Sequence, residues 1–135
     1  MTRRPRAATA GTVLWLSVAA LTAGVAVPRA LAHAVLTRST PPSRATLSAP
    51  PERVQLWFNE RLEPAYSSAS VWSAAGAQVD RGDARVSPED PKSLFVSLPP
   101  VGPGVYTVQY RVLSVDGHVV EARFSFTVRA RDTGR

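Results

Sequence analysis

Three residues of this chain could hold a metal ion together: His33, Asp116 and His118. Taken singly, each has an ordinary explanation. His33 could simply follow a cleavage site, His118 could be a surface histidine, and Asp116-Gly117 is a common hairpin-turn signal. Their combination is more specific. If the chain were cut before His33, that residue would offer two nitrogens, the freed α-amine and imidazole Nδ1, which close a chelate ring. The amine has a reference pKa of about 7.7–8.0, low enough for a strongly bound metal to displace its proton near neutral pH. With residues 114–118 extended, Asp116 and His118 would project from one strand face, about 6–7 Å apart. The donor set is then three nitrogens and one carboxylate oxygen. It suits tetragonal Cu(II), which stands highest in the Irving–Williams order, with Ni(II) and Zn(II) as competitors.

The N-terminal segment predicts that cut. Met1 to Ala8 carries Arg3, Arg4 and Arg6 and no acid, Ala10 to Val27 is uncharged, and Ala30-x-Ala32 matches a signal-peptidase site. The alternative is a retained membrane anchor, since the apolar run approaches the length of a spanning helix. The small residues before His33 favour cleavage. Residues 1–32 are therefore expected to be a signal peptide and the mature chain to begin at His33, in the periplasm or otherwise outside the cytoplasm. No later segment is expected to span a membrane.

Cleavage changes the charge and the ligand inventory. The net charge falls from +6 to +2, because four arginines leave with the signal and the remaining 12 basic residues face 10 acids. The basic residues are scattered along the sequence, which predicts a solvated surface rather than a patch and gives little reason to expect nucleic acid or an anionic membrane as a partner. There is no cysteine, and the only methionine is Met1. The mature chain thus offers no sulfur ligand for a Cu(I)-type site, and its fold must stand without a disulfide. Gly-rich phosphate loops, nucleophilic triads and paired catalytic carboxylates are not found either.

The elements that must position the three residues read as strands. Val54, Leu56 and Phe58 alternate with Gln55 and Trp57. Leu94, Val96 and Leu98 alternate with Phe95 and Ser97. Tyr106, Val108, Tyr110 and Val112 form one face, and Val120, Ala122, Phe124, Phe126 and Val128 another. Residues 33–37, 68–73 and 84–87 are further strands, and Pro- or Gly-bearing turns separate the runs. Seven short strands predict an all-β Greek-key sandwich over residues 33–128, immunoglobulin-like but without its disulfide, followed by a charged tail, 129–135.

Two stretches carry a family resemblance. His33-Ala-Val-Leu-Thr-Arg-Ser-Thr-Pro-Pro42 with Leu47-Ser-Ala-Pro-Pro-Glu-Arg-Val-Gln-Leu-Trp-Phe-Asn-Glu60 resembles the opening of CopC-type copper-resistance proteins. Pro103-Gly-Val-Tyr-Thr-Val-Gln-Tyr-Arg-Val-Leu-Ser-Val-Asp-Gly-His118 resembles their G-x-Y-x-V-x-(W/Y)-x-x-x-S-x-D-x-H segment, and Phe124 to Val128 fits their closing strand. The resemblance implies one Cu(II) per chain on the His33 amine and imidazole, Asp116 and His118, with Glu60 as an acid near the metal. It also implies a non-catalytic copper carrier or buffer, with a membrane copper transporter of the CopD type as a partner. Some members add a Met-rich Cu(I) site and a second histidine two residues after the first. This chain has Val35 there, so no Cu(I) site is expected. Because the residue between Asp and His varies in the family, the resemblance also weighs against reading Gly117 as a turn glycine.

Two other functions compete. Histidine-brace monooxygenases also use an N-terminal histidine with a second histidine. Against that, Asp116 would fill a position that oxygen chemistry needs open, and 103 residues leave little room for a polysaccharide-binding face. A metal-free interaction module is the other, with Trp57 or Phe95 as its contacts.

Overall fold

Alternating apolar residues need two sheets to bury them, and the chain supplies both. The computed structural model describes residues 33–131; the predicted signal peptide, 1–32, and the end of the tail lie outside the described residues. Eight strands form: β1 (Leu36–Thr40), β2 (Thr46–Leu47), β3 (Arg53–Phe58), β4 (Ser68–Ser73), β5 (Arg85–Val86), β6 (Ser93–Ser97), β7 (Gly104–Leu113) and β8 (Val119–Val128). One 3-10 turn, Pro64–Tyr66, precedes β4.

The strands divide into two four-stranded sheets, ordered β1-β3-β6-β5 and β2-β8-β7-β4. Up to β5 the chain passes repeatedly from one sheet to the other, and β7 and β8 form the long hairpin, in register from Gly104↔Val128 to Leu113↔Val119. The fold is an all-β sandwich, as expected. The strand beyond the expected seven is β2, a two-residue stretch paired parallel to Thr127 and Val128 of β8. It is too short to carry a hydrophobic period.

The predicted inward faces pack together. Val54, Leu56 and Phe58 of β3 meet Leu94 and Val96 of β6 on one side, and Val71, Val108, Val112, Phe126 and Val128 on the other. Burying each such side chain contributes about 1.5–3 kcal/mol. Phe58 meets Tyr110 edge-on across the sandwich, with ring centroids 5.5 Å apart.

Three expectations need correction. The alternation in β8 places Ala122 inside, but it is exposed; β2 covers only the last two residues of β8, so the first half of that strand stands at a sheet edge. The extended reading of residues 114–118 is replaced by a tight reversal, described below. The arginines are not all scattered in space: three of them, Arg38, Arg53 and Arg85, lie over the aromatic rings of one sheet face. Among the described residues no helix is long and apolar enough to cross a membrane.

Candidate metal centre

The end of the sandwich where β7 turns into β8 is tied to the end of β3 by one loop. Glu63 N–H donates to Leu113 O at 2.8 Å and Val115 N–H to Arg61 O at 3.0 Å, and Leu62 bridges Ser114. This zipper brings together two segments that belong to different sheets.

On the β7–β8 side, Gly117 N–H donates to Ser114 O at 2.9 Å and Ser114 N–H to His118 O at 3.0 Å. Gly117 has φ +93°, a left-handed conformation open to glycine. Val115, Asp116 and Gly117 thus form a three-residue hairpin loop ending in a glycine. The Asp-Gly turn reading, which the family resemblance weighed against, is the correct one. The turn still brings the two chemical groups together: His118 Nδ1 lies 3.2 Å from Asp116 Oδ1.

Ser114 is the centre of this loop and is fully buried. Its hydroxyl donates to Asp116 Oδ1 and accepts the His118 N–H at 3.3 Å. That hydroxyl is the main reason the Asp116 carboxyl is held below the usual carboxylate range, with His118 adding to the effect and partial desolvation opposing it. The approach of His118 Nδ1 to Asp116 is close enough for attraction but misaligned for a hydrogen bond. Nδ1 is shut off from solvent and has no hydrogen-bond partner.

On the other side, the N-terminal segment is fixed by two residues. Ala34 is buried in the core, with 2% exposure. Val35 is clamped to Asn59, just past β3: its N–H donates to Asn59 Oδ1 at 2.6 Å, and Asn59 N–H donates back to Val35 O at 3.1 Å. The clamp sets His33 against the hairpin, its ring edge-on to that of His118 with centroids 4.9 Å apart.

His33 thus lies against His118, and His118 against Asp116. Glu60 follows Asn59 in the same loop and is partly buried, but no hydrogen bond or ion pair joins it to those three among the described residues. Nor do three His, Cys, Asp or Glu side chains converge as a ready-made cage there. The donor set read from the sequence counts the α-amine of His33, which is a peptide nitrogen while Ala32 is attached. Sequence reading passes over Asn59. The signal is present: an amide side chain directly after an alternating strand is suited to bonding a neighbouring backbone.

Comparison with known proteins identifies the family. The CopC domain model matches residues 36–129. The chain belongs to the CopC family. It is 33% identical to Protein YobA of Escherichia coli K12 over 114 residues, covering 84% of this chain and 92% of that one. Among solved structures, CopC from Methylosinus trichosporium OB3b superimposes with a TM-score of 0.70 at 36% identity, over 76% of this chain and all of that one. PcoC from Escherichia coli, described as a methionine-rich copper resistance protein, gives 0.62 at 32% identity, over 73% of this chain and all of that one. This CopC-family chain differs from PcoC in having Met1 as its only methionine.

Proposed function

We propose that this CopC-family protein is an extracytoplasmic copper carrier or buffer. It binds a single Cu(II) through the α-amine and imidazole of His33, the imidazole of His118 and the carboxylate of Asp116. The observation that carries the reading is the meeting of the two histidine rings, 4.9 Å between centroids, beside a buried imidazole nitrogen that has no hydrogen-bond partner. A buried polar atom left unpaired is costly, and a metal or a realigned Asp116 would satisfy it. The hydrogen bond of Asp116 falls on Oδ1, which leaves Oδ2 for a metal.

The chemistry favours Cu(II) over Cu(I). Nitrogen and carboxylate donors suit the divalent ion, and after residue 32 no sulfur is available for the softer one. Glu60 serves as a nearby acid rather than a ligand. Export and cleavage after Ala32 belong to the reading, since they create the terminal amine. A membrane copper transporter of the CopD type is the proposed exchange partner, and no catalytic turnover is assigned.

The test compares the chain beginning at His33 with the same chain carrying one added alanine before His33. Calorimetry against a competing chelator should show one Cu(II) per chain for the first and a loss of at least tenfold in affinity for the second. Equal binding by the two would overturn the site.

A further inference from the structure

Every cation–π pair among the described residues lies on the outer face of the β1-β3-β6-β5 sheet. The Arg38 guanidinium sits 3.7 Å from the centre of the Trp57 ring. Phe95 is flanked by two more, Arg85 at 4.6 Å and Arg53 at 5.7 Å. Energetically significant pairs of this kind occur about once per 70–80 residues, so three on one face of a small domain is a concentration.

The register shows how they gather. Arg38 pairs with Trp57 across β1 and β3, Gln55 with Phe95 across β3 and β6, and Phe95 with Arg85 across β6 and β5. Arg53 and Trp57 are four residues apart on β3, about 13 Å. Arg38 and Arg85 lie three strand spacings and a two-residue stagger apart, about 16 Å. All three arginines are exposed, and Trp57 and Phe95 are half-buried beneath them.

None of these arginines has a carboxylate within ion-pairing distance among the described residues. The nearest acid in sequence to Arg85, Asp83, spends Oδ1 on the Ser97 backbone N–H at 2.8 Å. Each guanidinium carbon lies over an aromatic ring, Arg38 most closely, and a guanidinium stacked on a ring face presents its in-plane N–H edge outward. That edge is the fork that pairs with a carboxylate through two parallel hydrogen bonds. Stacking also holds the fork in place, which lowers the ordering cost of binding.

We propose that this sheet face is a docking surface for a second protein that presents a flat or extended segment bearing two or three carboxylates. Aromatic residues and arginine are the types most enriched at the energetic centres of interfaces. A lipid bilayer fits less well, because it favours free aromatic or aliphatic side chains that can enter the interface. Here the rings lie under guanidinium groups, and the exposed large apolar residues, Val35, Tyr66, Val105, Val115 and Val119, lie elsewhere. The surface does not depend on the copper reading.

The test uses the metal-free chain from His33 onward, which contains the whole core, and a synthetic peptide of alternating Glu and Ser. Its glutamates recur every 6.6–7 Å or so along one face, so every second one, about 13–14 Å on, falls within the range of about 12–16 Å that separates these arginines along the sheet. Titration followed by 1H–15N NMR should shift Arg38, Gln55, Trp57 and Phe95 and saturate. Substituting Arg38→Ser, Arg53→Ser and Arg85→Ser together should weaken binding at least tenfold. Substituting Arg61, Arg123 and Arg129 by Ser removes the same charge elsewhere and should change it less than threefold. The variant with Lys at 38, 53 and 85 keeps charge and fold and should still lose most of the affinity. Equal loss in the two serine variants, full binding by the lysine variant, or shifts on another face would overturn the proposal. So would binding to phosphatidylglycerol vesicles with none to the peptide.

Discussion

Asn59 holds Val35 from both sides, accepting its N–H on Oδ1 at 2.6 Å and donating its own N–H to Val35 O at 3.1 Å. A chain end is normally free to fray. In the proposed mature chain the clamp, with Ala34 buried beside it, would leave His33 as the one residue beyond a fixed point. Chelation by an N-terminal histidine then starts from a positioned ligand rather than a mobile one.

Asn59→Ala should therefore weaken Cu(II) binding without unfolding the domain. Asn59 is exposed and outside the core, so unfolding in urea should shift by about 1 kcal/mol, the scale of one hydrogen bond. Copper affinity, measured by chelator competition, should fall about tenfold, because the His33 segment must be ordered on binding. Amide exchange at Val35 should rise in the metal-free variant. An unchanged affinity alongside faster exchange would show that the clamp does not serve the metal.

Ser114→Ala tests how the hairpin holds its carboxylate. The Ser114 hydroxyl is the largest cause of the lowered pKa of Asp116, so its removal should raise that pKa toward the ordinary value. The sign follows from linkage: a carboxyl with a depressed folded pKa lends stability above its ordinary pKa and loses it as pH falls through the lowered one. The variant should lose that contribution. Carbon-13 NMR of the Asp116 carboxyl in the metal-free protein should show titration at higher pH. An unmoved midpoint would mean that the hydroxyl does not set it.

Much of the fold and the site is legible in the sequence, and the misses have physical causes. Period-two alternation marks β3, β6 and β7 because both sheets bury one face. It fails at Ala122, where half a strand passes the edge of its neighbour. Residue type singles out His33 and His118, yet the hairpin that joins Asp116 to His118 reads as extended. Family variation between Asp and His says nothing about what this particular glycine does. Asn59 and the arginine face escape a sequence reading for another reason: both depend on which strands become neighbours, and that is long-range information.

Gly117 gives a direct check on the hairpin. With φ +93° and nothing within 4 Å of where a β-carbon would stand, Gly117→Ala would meet torsional strain but no crowding. The cost should be about 1–2 kcal/mol, a lowering of Tm by about 4–8 °C per kcal/mol for a domain of this size. Gly117→Asn should cost less, since asparagine tolerates the left-handed region better. Equal stability of Gly, Ala and Asn at this position, read by calorimetry, would argue against the turn.

The pH dependence of copper release distinguishes the proposed ligands from any purely carboxylate set. Metal binding needs the imidazoles and the amine without their extra protons, and acidification returns those protons. Asp116 is held below the usual carboxylate range, so it stays an anion while imidazoles protonate. Release should therefore be set by the nitrogen donors and steepen as pH falls, with more than one proton taken up per copper. Electron paramagnetic resonance of the copper-loaded chain should lose its nitrogen hyperfine structure over the range of release. Cu(II) retained to pH 4 after that structure has gone would place the metal on other groups. Release over the carboxylate range alone would remove both histidines from the site.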